Sequence, residues 1–304
     1  MINNPLKIAV VGIPGKWSTE VLADEIEALT GFRWVIDIEK VVALLHESSV
    51  RYQGRCLCQL DGIIIKKISQ TYSPTVIDRL ELLRFAEKCG VKVFSKPQEI
   101  IRLVDRMSCT ISLAKADIPM PPTLITEDID AALAQVETFG EAILKPLFST
   151  KARGMEVVKV CDGEKAIRKQ FESYYQQHDF FYLQKKLALP GKDMGLVFLG
   201  GEYRGAYARV SGNTSWNTTI NDGGKYAEAH PSAEIIDMAQ RAQSQFDLSY
   251  TTVDIAETED GPVCFEVSAF GGFKGAYDGL GLNMAKEYAQ YVIQQLQLVT
   301  AQKA

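Results

Sequence analysis

The sequence predicts an α/β portion followed by an α+β portion, because the hydrophobic patterning changes along its 304 residues. Over residues 7–94, short apolar runs alternate with helical patterns, which is typical of an open sheet of parallel strands. A proline cluster at residues 118–122 interrupts this pattern. Further on, strands follow one another through glycine turns, as in antiparallel sheets. A chain of this length is expected to form two or three domains.

The N-terminal portion alternates strands and helices. Four strands are predicted, at residues 7–12, 32–38, 61–66 and 91–94. One helix is expected to be capped by Ser18 or Thr19 and to stop at Gly31, and a second begins at Ser73 and is closed by Gly90. This alternation predicts an open α/β domain, to which we assign residues 1–104.

The middle of the chain, residues 105–185, is predicted to form a small second domain. A helical link covers roughly residues 98–116. Thr126 is expected to cap a helix that Gly140 stops. The remaining elements are strands at residues 142–145, 155–160 and 180–185 and a helix at residues 164–177. We interpret this block as βαβ-like.

The last third, residues 186–304, is predicted to form an antiparallel sheet with helices. Its strands are expected at residues 194–199, 203–210, 251–256 and 262–268, and its helices at residues 231–246 and 283–298.

Charge and cysteine content restrict the functional class. Thirty-three Lys and Arg residues against thirty-eight Asp and Glu residues give a formal charge of −5, so we expect neither nucleic acid nor a membrane as partner. The six cysteines show no zinc-binding spacing and are expected to be reduced core residues. No signal peptide and no apolar run of ~20 residues is recognisable. The sequence therefore predicts a cytoplasmic protein.

A hairpin near the C-terminus is predicted to bring two carboxylates together. Glu259-Asp260-Gly261 is a three-residue turn with glycine at its left-handed position. Pairing Thr258 with Pro262 then puts Asp254 opposite Glu266, with their Cβ atoms ~4.5–5.5 Å apart. Alternation puts Ser268 on this face and Phe265 on the opposite, apolar face.

Two opposed carboxylates repel each other unless a cation lies between them. A divalent ion such as Mg²⁺, held by these carboxylates and by substrate phosphates, would remove the repulsion. The alternative is a solvated sheet face on which both side chains diverge into water. The hairpin alone leaves both interpretations open.

The carboxylate spacing resembles that of ATP-grasp ligases. Asp254 and Glu266, with Ser268 two residues further on, are similar to the metal ligands of the RimK-like branch. Further similar segments, in family order, are Ile-Leu-Lys-Pro at 143–146, Tyr-Leu-Gln-Lys at 182–185, Gly-Lys-Asp-Met at 191–194, and 215–217 followed by Gly-Gly at 223–224. The segment at 182–185 resembles the family's hinge, whose backbone holds adenine. Residues 105–298 carry the resemblance. The runs at 12–19, 145–155 and 266–273 also look like the ATP-grasp enzyme of the bacterial GAK system. The resemblance implies an ATP-grasp fold behind an N-terminal α/β (pre-ATP-grasp) domain.

The resemblance implies cofactors and site residues. It implies ATP and Mg²⁺ (or Mn²⁺), with the metal on Asp254, Glu266 and Ser268. The residues implied to bind nucleotide are Arg106, Lys145, Lys151, Arg153, Gly154, Gln184, Lys185, Lys186, Leu187 and Asp193. Those implied to act at the reacting centre are Lys145, Arg209 and Asn217.

Four residues are candidate substrate contacts: Lys16, Lys67, Trp216 and Gly272. Lys16 and Lys67 follow strands of the α/β portion, where open sheets present ligands. Both are otherwise solvated lysines, and Trp216 is otherwise a packed aromatic residue. Similarly, Lys145 and Arg209 would be surface strand residues without the family context. The run from Gly12 to Ser18 is not a Walker A loop, because Val10 and Trp17 stand where that loop has glycine and Ser/Thr.

Four departures from the family pattern bear on the substrate. Arg106 stands in place of lysine, and Ser268 replaces an asparagine ligand. The loop at 149–154, which resembles the family's phosphate-covering loop, contains a single glycine. Gly195 stands where RimK-like enzymes usually have arginine.

The predicted function is ATP-dependent ligation. In ATP-grasp ligases a carboxylate attacks the γ-phosphate to form an acyl phosphate and ADP, and an amine (or thiol) then displaces phosphate. The alternatives are a regulatory nucleotide-binding protein without ligase activity, and a small-molecule phosphotransferase on the same scaffold. Small-molecule or peptide substrates are expected, with a homodimer as the common assembly among relatives.

Overall fold

The computed structural model describes residues 5–150, 152–210 and 225–303. The N-terminal portion forms an open α/β layer. The elements of this layer are β1 (Ile8–Val11), α1 (Trp17–Thr30), β2 (Val35–Ile36), β3 (Val42–Leu44), β4 (Ser49–Tyr52), β5 (Arg55–Cys56), β6 (Gly62–Ile65), α2 (Thr75–Lys88) and β7 (Lys92–Phe94). A parallel sheet has the order β2-β1-β6-β7, and β3, β4 and β5 form a separate antiparallel sheet. The predicted α/β class is confirmed, but β3–β5 were not predicted, because strands of two to four residues are too short for a periodic pattern.

The start of α1 differs from the prediction. The cap position is Lys16, and no side chain makes a capping hydrogen bond there. The Thr19 hydroxyl instead accepts a hydrogen bond from the Ile13 N–H at 3.3 Å, which fixes the loop between β1 and α1. Gly31 ends the helix in the left-handed conformation, as predicted.

The middle of the chain forms an antiparallel sheet and not the adjacent parallel strands that the βαβ-like interpretation implied. After α3 (Pro97–Val104) and α4 (Arg106–Lys115), its elements are β8 (Thr123–Thr126), α5 (Ile129–Phe139), β9 (Glu141–Leu144), β10 (Glu156–Lys159), α6 (Glu164–Tyr175) and β11 (Phe181–Lys185). The strand order is β10-β9-β11-β8, so each βαβ unit has another strand between its two strands. Thr126 does not cap α5, because it belongs to β8; the Asp128 carboxylate makes the cap.

The last third forms a five-stranded antiparallel sheet. Its elements are β12 (Lys192–Leu199), β13 (Glu202–Val210), β14 (Lys225–Ala229), α7 (Ala233–Gln243), β15 (Tyr250–Thr258), β16 (Gly261–Ser268), α8 (Phe273–Leu280) and α9 (Met284–Lys303). The strand order is β14-β13-β12-β15-β16. Helix α8 was not predicted, since two of its eight residues are glycines, which have low helix propensity.

The first and last portions share their hydrophobic cores, to which α4 also contributes, whereas the central sheet with α5 and α6 has its own. One cluster joins residues such as Leu80 and Phe246, and a second joins α1 to α9 through residues such as Ile26 and Val292. The central cluster is confined to residues 132–183 with a few flanking side chains. The domain boundaries at 104/105 and 185/186 stay a prediction.

The cysteines only partly match expectation. All six are free, but Cys89 and Cys161 are exposed, and only Cys109 and Cys264 are buried. Among the described residues, no helix has the length and apolar character to cross a bilayer.

Candidate active site

The hairpin of β15 and β16 brings Asp254 opposite Glu266 by a different route from the predicted one. Thr258 pairs with Gly261 and not with Pro262, so the turn is one residue shorter than expected. A β-bulge between Asp254 and Ile255 restores the expected register. The two carboxylates therefore face each other although the predicted turn was wrong.

The bulge also changes the side on which Phe265 lies. The sequence predicted this ring on the apolar face, but Cys264 takes that place and is fully buried in the core. The Phe265 ring lies 5.6 Å from the ammonium group of Lys145. The bulge thus adds an aromatic wall to the site.

Arg209 connects two carboxylates of the sheet. Its guanidinium Nε lies 3.1 and 3.2 Å from the two oxygens of Asp193, the residue opposite it on β12. An Nη atom of the same group lies 2.9 Å from Asp254 Oδ2. Burial raises the pKa of the Asp254 carboxyl, and the charge of Glu266 raises it further, while Arg209 opposes the rise. Arg209 thereby lowers the energetic cost of keeping Asp193 and Asp254 charged so close together.

The free oxygens of Asp254 and Glu266 suit a hard cation. Asp254 Oδ1 is buried and has no hydrogen-bond partner in the described part of the chain. Glu266 is half exposed, and its nearest cation, Arg106, is 3.8 Å away. Ser268 lies two residues beyond Glu266 on the same face of β16. Within residues 5–150, 152–210 and 225–303, no cluster of three His, Cys, Asp or Glu side chains has metal-ligand geometry. Mg²⁺ is commonly held by one or two carboxylates together with substrate phosphates, so these residues fit it.

Lys145 projects from the end of β9 into a buried polar contact. The side chain is 7% exposed, and its ammonium donates a hydrogen bond to Gln184 Oε1. The Gln184 amide in turn donates to the Thr123 hydroxyl at 3.1 Å. Burial, with the charge of Arg106 as a smaller cause, lowers the pKa of Lys145 to about 7. Lys145 is therefore not the solvated strand-end lysine that the sequence alone allowed.

Arg106 closes the same side of the site. Its Nε donates to the Pro146 carbonyl at 3.2 Å and an Nη to the Ser149 hydroxyl at 3.0 Å. The first turn of α4 is therefore tied to the predicted phosphate loop. Arg153 of that loop donates to the Gln70 carbonyl at 3.1 Å, and Gly154 has a positive φ beside Pro146.

The predicted adenine-binding hinge has part of its backbone committed to the sheets. The N–H groups of Lys185 and Lys186 donate to the carbonyls of Pro122 and Glu141, at 2.8 and 3.0 Å. The Lys186 ammonium also lies 2.5 Å from the Glu141 carboxylate. A base at this hinge would therefore use carbonyl groups, or Leu187 just beyond the strand.

The candidate substrate contacts are placed unevenly. Lys16 is exposed at the start of α1. The Lys67 ammonium donates to the Tyr72 hydroxyl at 2.9 Å and lies 5.2 Å from the Phe270 ring, so it is not a solvated lysine. Gly272 precedes α8. Lys151, Trp216 and Asn217 lie outside the described residues.

Sequence reasoning missed Lys66. This side chain is 4% exposed, and its ammonium donates to the Gly271 carbonyl at 2.5 Å and lies 4.0 Å from the Phe273 ring. It ties the end of β6 to the loop after β16. The sequence signal for Lys66 was its position directly after a fully buried strand. Lys67 follows the same strand, so this signal does not distinguish the two lysines.

The central and C-terminal sheets, the opposed carboxylates and the surrounding cations define an ATP-grasp protein. The chain matches the RimK-like ATP-grasp domain over residues 103–292, more than half of its length. It therefore belongs to the RimK-like ATP-grasp family, and it is a ligase of the carboxylate–amine class.

Similar proteins agree with this assignment. A tetrahydromethanopterin:α-L-glutamate ligase of Methanosarcina acetivorans is 24% identical, over 92% of this chain and 96% of the relative. A probable α-L-glutamate ligase of Nitrosococcus oceani is also 24% identical, over 94% and 95%. The ATP-grasp ligase PsnB, solved with a precursor variant, Mg and ADP, has a TM-score of 0.75 at 19% identity, over 97% of this chain and all of that one. D-alanyl-alanine synthetase A of Vibrio cholerae has a TM-score of 0.71 at 15% identity, over 97% and 98%.

Replacing Arg209 by alanine should lower the free energy of unfolding by about 3–5 kcal/mol, because it leaves Asp193 and Asp254 as unpaired, poorly solvated charges. Urea unfolding measures this loss. Arg168→Ala is the matched control, since Arg168 pairs with the exposed Asp130 and its loss should leave the free energy of unfolding nearly unchanged. Equal effects of the two substitutions would contradict the role given to Arg209.

The affinity for ATP should fall as pH rises from about 7.5 to about 9. In the free protein Lys145 loses its proton above about pH 7, and phosphate favours the protonated form, so binding must take up a proton. The expected decline is up to about tenfold per pH unit, measured by calorimetry. Lys145→Arg remains charged and should show a flat profile. A flat wild-type profile would refute the prediction.

Proposed function

We propose that the protein activates a carboxylate with Mg-ATP as an acyl phosphate and joins it to the amine of an α-amino acid. L-glutamate is the first candidate, because relatives that match more than nine tenths of this chain are named α-L-glutamate ligases. The observation that supports the site is the opposed pair Asp254 and Glu266, with the buried, unpartnered oxygen of Asp254. We further propose a cytoplasmic enzyme that acts on small molecules or peptides.

The surrounding residues would divide the work between charge and position. Asp254 and Glu266, with Ser268, would hold Mg²⁺ (or Mn²⁺), which when bound neutralises charge on the transferring phosphoryl group. Lys145, at the end of β9, and Arg106, in the first turn of α4, would contact the phosphates from the other side of the site. Both are already oriented, by Gln184 and by the Pro146 carbonyl, so little reorganisation is needed.

Arg209 would act beside the reacting carbon. Its guanidinium is held by Asp193 and Asp254, which orients it and partly neutralises its charge. Asn217 is assigned to the same centre from the resemblance. Little covalent chemistry is asked of the protein, since orientation and electrostatic stabilisation carry most of the rate in phosphoryl transfer.

The reaction is tested with amino acids, because each carries both a carboxylate and an amine. The protein is incubated with Mg-ATP and with amino acids singly and in pairs, and ADP release is measured beside mass spectrometry of the products. We expect an amide product, one water lighter than its two components, in amounts equal to ADP and phosphate. A stable phosphorylated product would identify a phosphotransferase, and binding without turnover with any pair or with short peptides would identify a regulatory protein.

Mg-ATP should stabilise the protein against heat through Glu266. Ligand at about 100 times its dissociation constant stabilises by about 2.7 kcal/mol, which corresponds to a rise of several degrees in the unfolding midpoint. Glu266→Gln should lose the part of this rise that requires Mg²⁺. Glu257→Gln, an exposed carboxylate on the neighbouring strand, is the control and should retain it. The metal assignment fails if Glu266→Gln responds like the wild type.

A further inference from the structure

Tyr207 lies in the same row of the sheet as the proposed metal carboxylates. Glu266 pairs with Asp254, Asp254 with Gly195, and Gly195 with Tyr207. Opposed residues of antiparallel strands place their side chains on one face, so all of these face the site. Only a glycine separates the tyrosine from Asp254.

Three glycines make the space that the Tyr207 ring occupies. A Cβ atom on Gly195 would lie 2.5 Å from Tyr207 Cζ, and one on Gly275 of α8 would lie 2.4 Å from the same atom. A Cβ atom on Gly279 would lie 2.9 Å from Tyr207 Cβ. Contacts under 3.0 Å are not tolerated, so the ring is clamped between the sheet and α8. The side chain is 4% exposed.

The Tyr207 hydroxyl is directed along the row towards Asp254. A Cβ atom on Gly195 would lie 2.7 Å from Tyr207 Oη, so the hydroxyl lies above the residue that pairs with Asp254. Adjacent strands are ~4.8 Å apart, which puts the hydroxyl about one strand spacing from Asp254. In the described part of the chain, no residue accepts a hydrogen bond from it. Arg209, by contrast, already donates to two carboxylates.

We propose that Tyr207 is a catalytic residue whose hydroxyl donates a hydrogen bond to the carbonyl oxygen of the activated substrate. This inference rests on the proposed ligase function. When the amine adds to the acyl phosphate, the C–N bond forms and the carbonyl oxygen gains negative charge. The oxygen lone pair then re-forms the C=O bond as the C–O bond to phosphate breaks, and phosphate leaves with that electron pair and takes up the proton that the amine loses. A fixed, uncommitted donor beside that oxygen stabilises this charge.

Tyr207→Phe isolates the hydroxyl, because the ring that fills the space between Gly195 and Gly275 remains. With the amino acids that give product, kcat should fall by about 100-fold while the KM for ATP is unchanged. Tyr288→Phe is the control, since Tyr288 is a buried tyrosine on α9 packed against Tyr250 and should retain full kcat. Gly195→Ala should also lower kcat, because it displaces the Tyr207 ring. A wild-type kcat in Tyr207→Phe overturns the proposal.

A second measurement needs no substrate. In protein labelled with 3-fluorotyrosine, the ¹⁹F resonances of Tyr207 and Tyr288 are assigned from the two phenylalanine variants, and Mn-ADP is added. Paramagnetic Mn²⁺ at Asp254 and Glu266 should broaden the Tyr207 resonance far more strongly than that of Tyr288, because this broadening falls with the sixth power of the distance from the ion. A sharp Tyr207 resonance overturns the proposal. Broadening without amide formation would support the position of Tyr207 and refute only the proposed substrates.

Discussion

The site depends on keeping two carboxylates close together in a poorly solvated place. Asp254 Oδ1 is buried, and Glu266 faces Asp254 across the hairpin, so the charge of Glu266 raises the cost of charge on Asp254. Arg209 meets part of this cost by contacting Asp254 and Asp193 together, which a lysine with its single ammonium could do less well. The uncompensated oxygen of Asp254 remains available to a cation. Stability and function therefore compete at this point of the sheet, as expected where charge is held ready for a ligand.

The cations that complete the site come from other layers of the fold. Lys145 is presented by the central sheet and Arg106 by the first turn of α4, and the loop after β16 is held by Lys66 from the N-terminal sheet. Each of these side chains is fixed by a hydrogen bond to a neighbouring segment. Relative movement of the layers would therefore change the distances between cations and carboxylates, and the site is complete only when the layers are packed together.

Local patterns predicted most helices and strands but not their arrangement. The apolar runs and the glycine stops correctly predicted β1, β6, α1 and α5, because these signals lie within a few residues. Asp254 came out opposite Glu266 through two compensating errors, since the turn is one residue shorter and the bulge inserts one. Neither feature has a local signature, because both are set by how β15 and β16 pair. The roles of Lys145 and Arg106 could be inferred only from resemblance, since residues that meet from separate sheets share no pattern in the sequence.

Gly195 shows why a departure from a family pattern needs its surroundings to be interpreted. In the sequence alone, glycine in place of arginine is a missing side chain that puts the identity of the acceptor substrate in doubt. In the sheet, Tyr207 can lie across β12 because Gly195 has no side chain there. Gly275 and Gly279 leave space for the same residue on the side of α8. Residues on three elements have to be suitable together for one ring to fit. The neutral phenol of Tyr207 then lies beside the carboxylates, where the family usually has the cation of an arginine. Glycine at position 195 therefore changes the chemistry of the acceptor side of the site and does not leave that side empty.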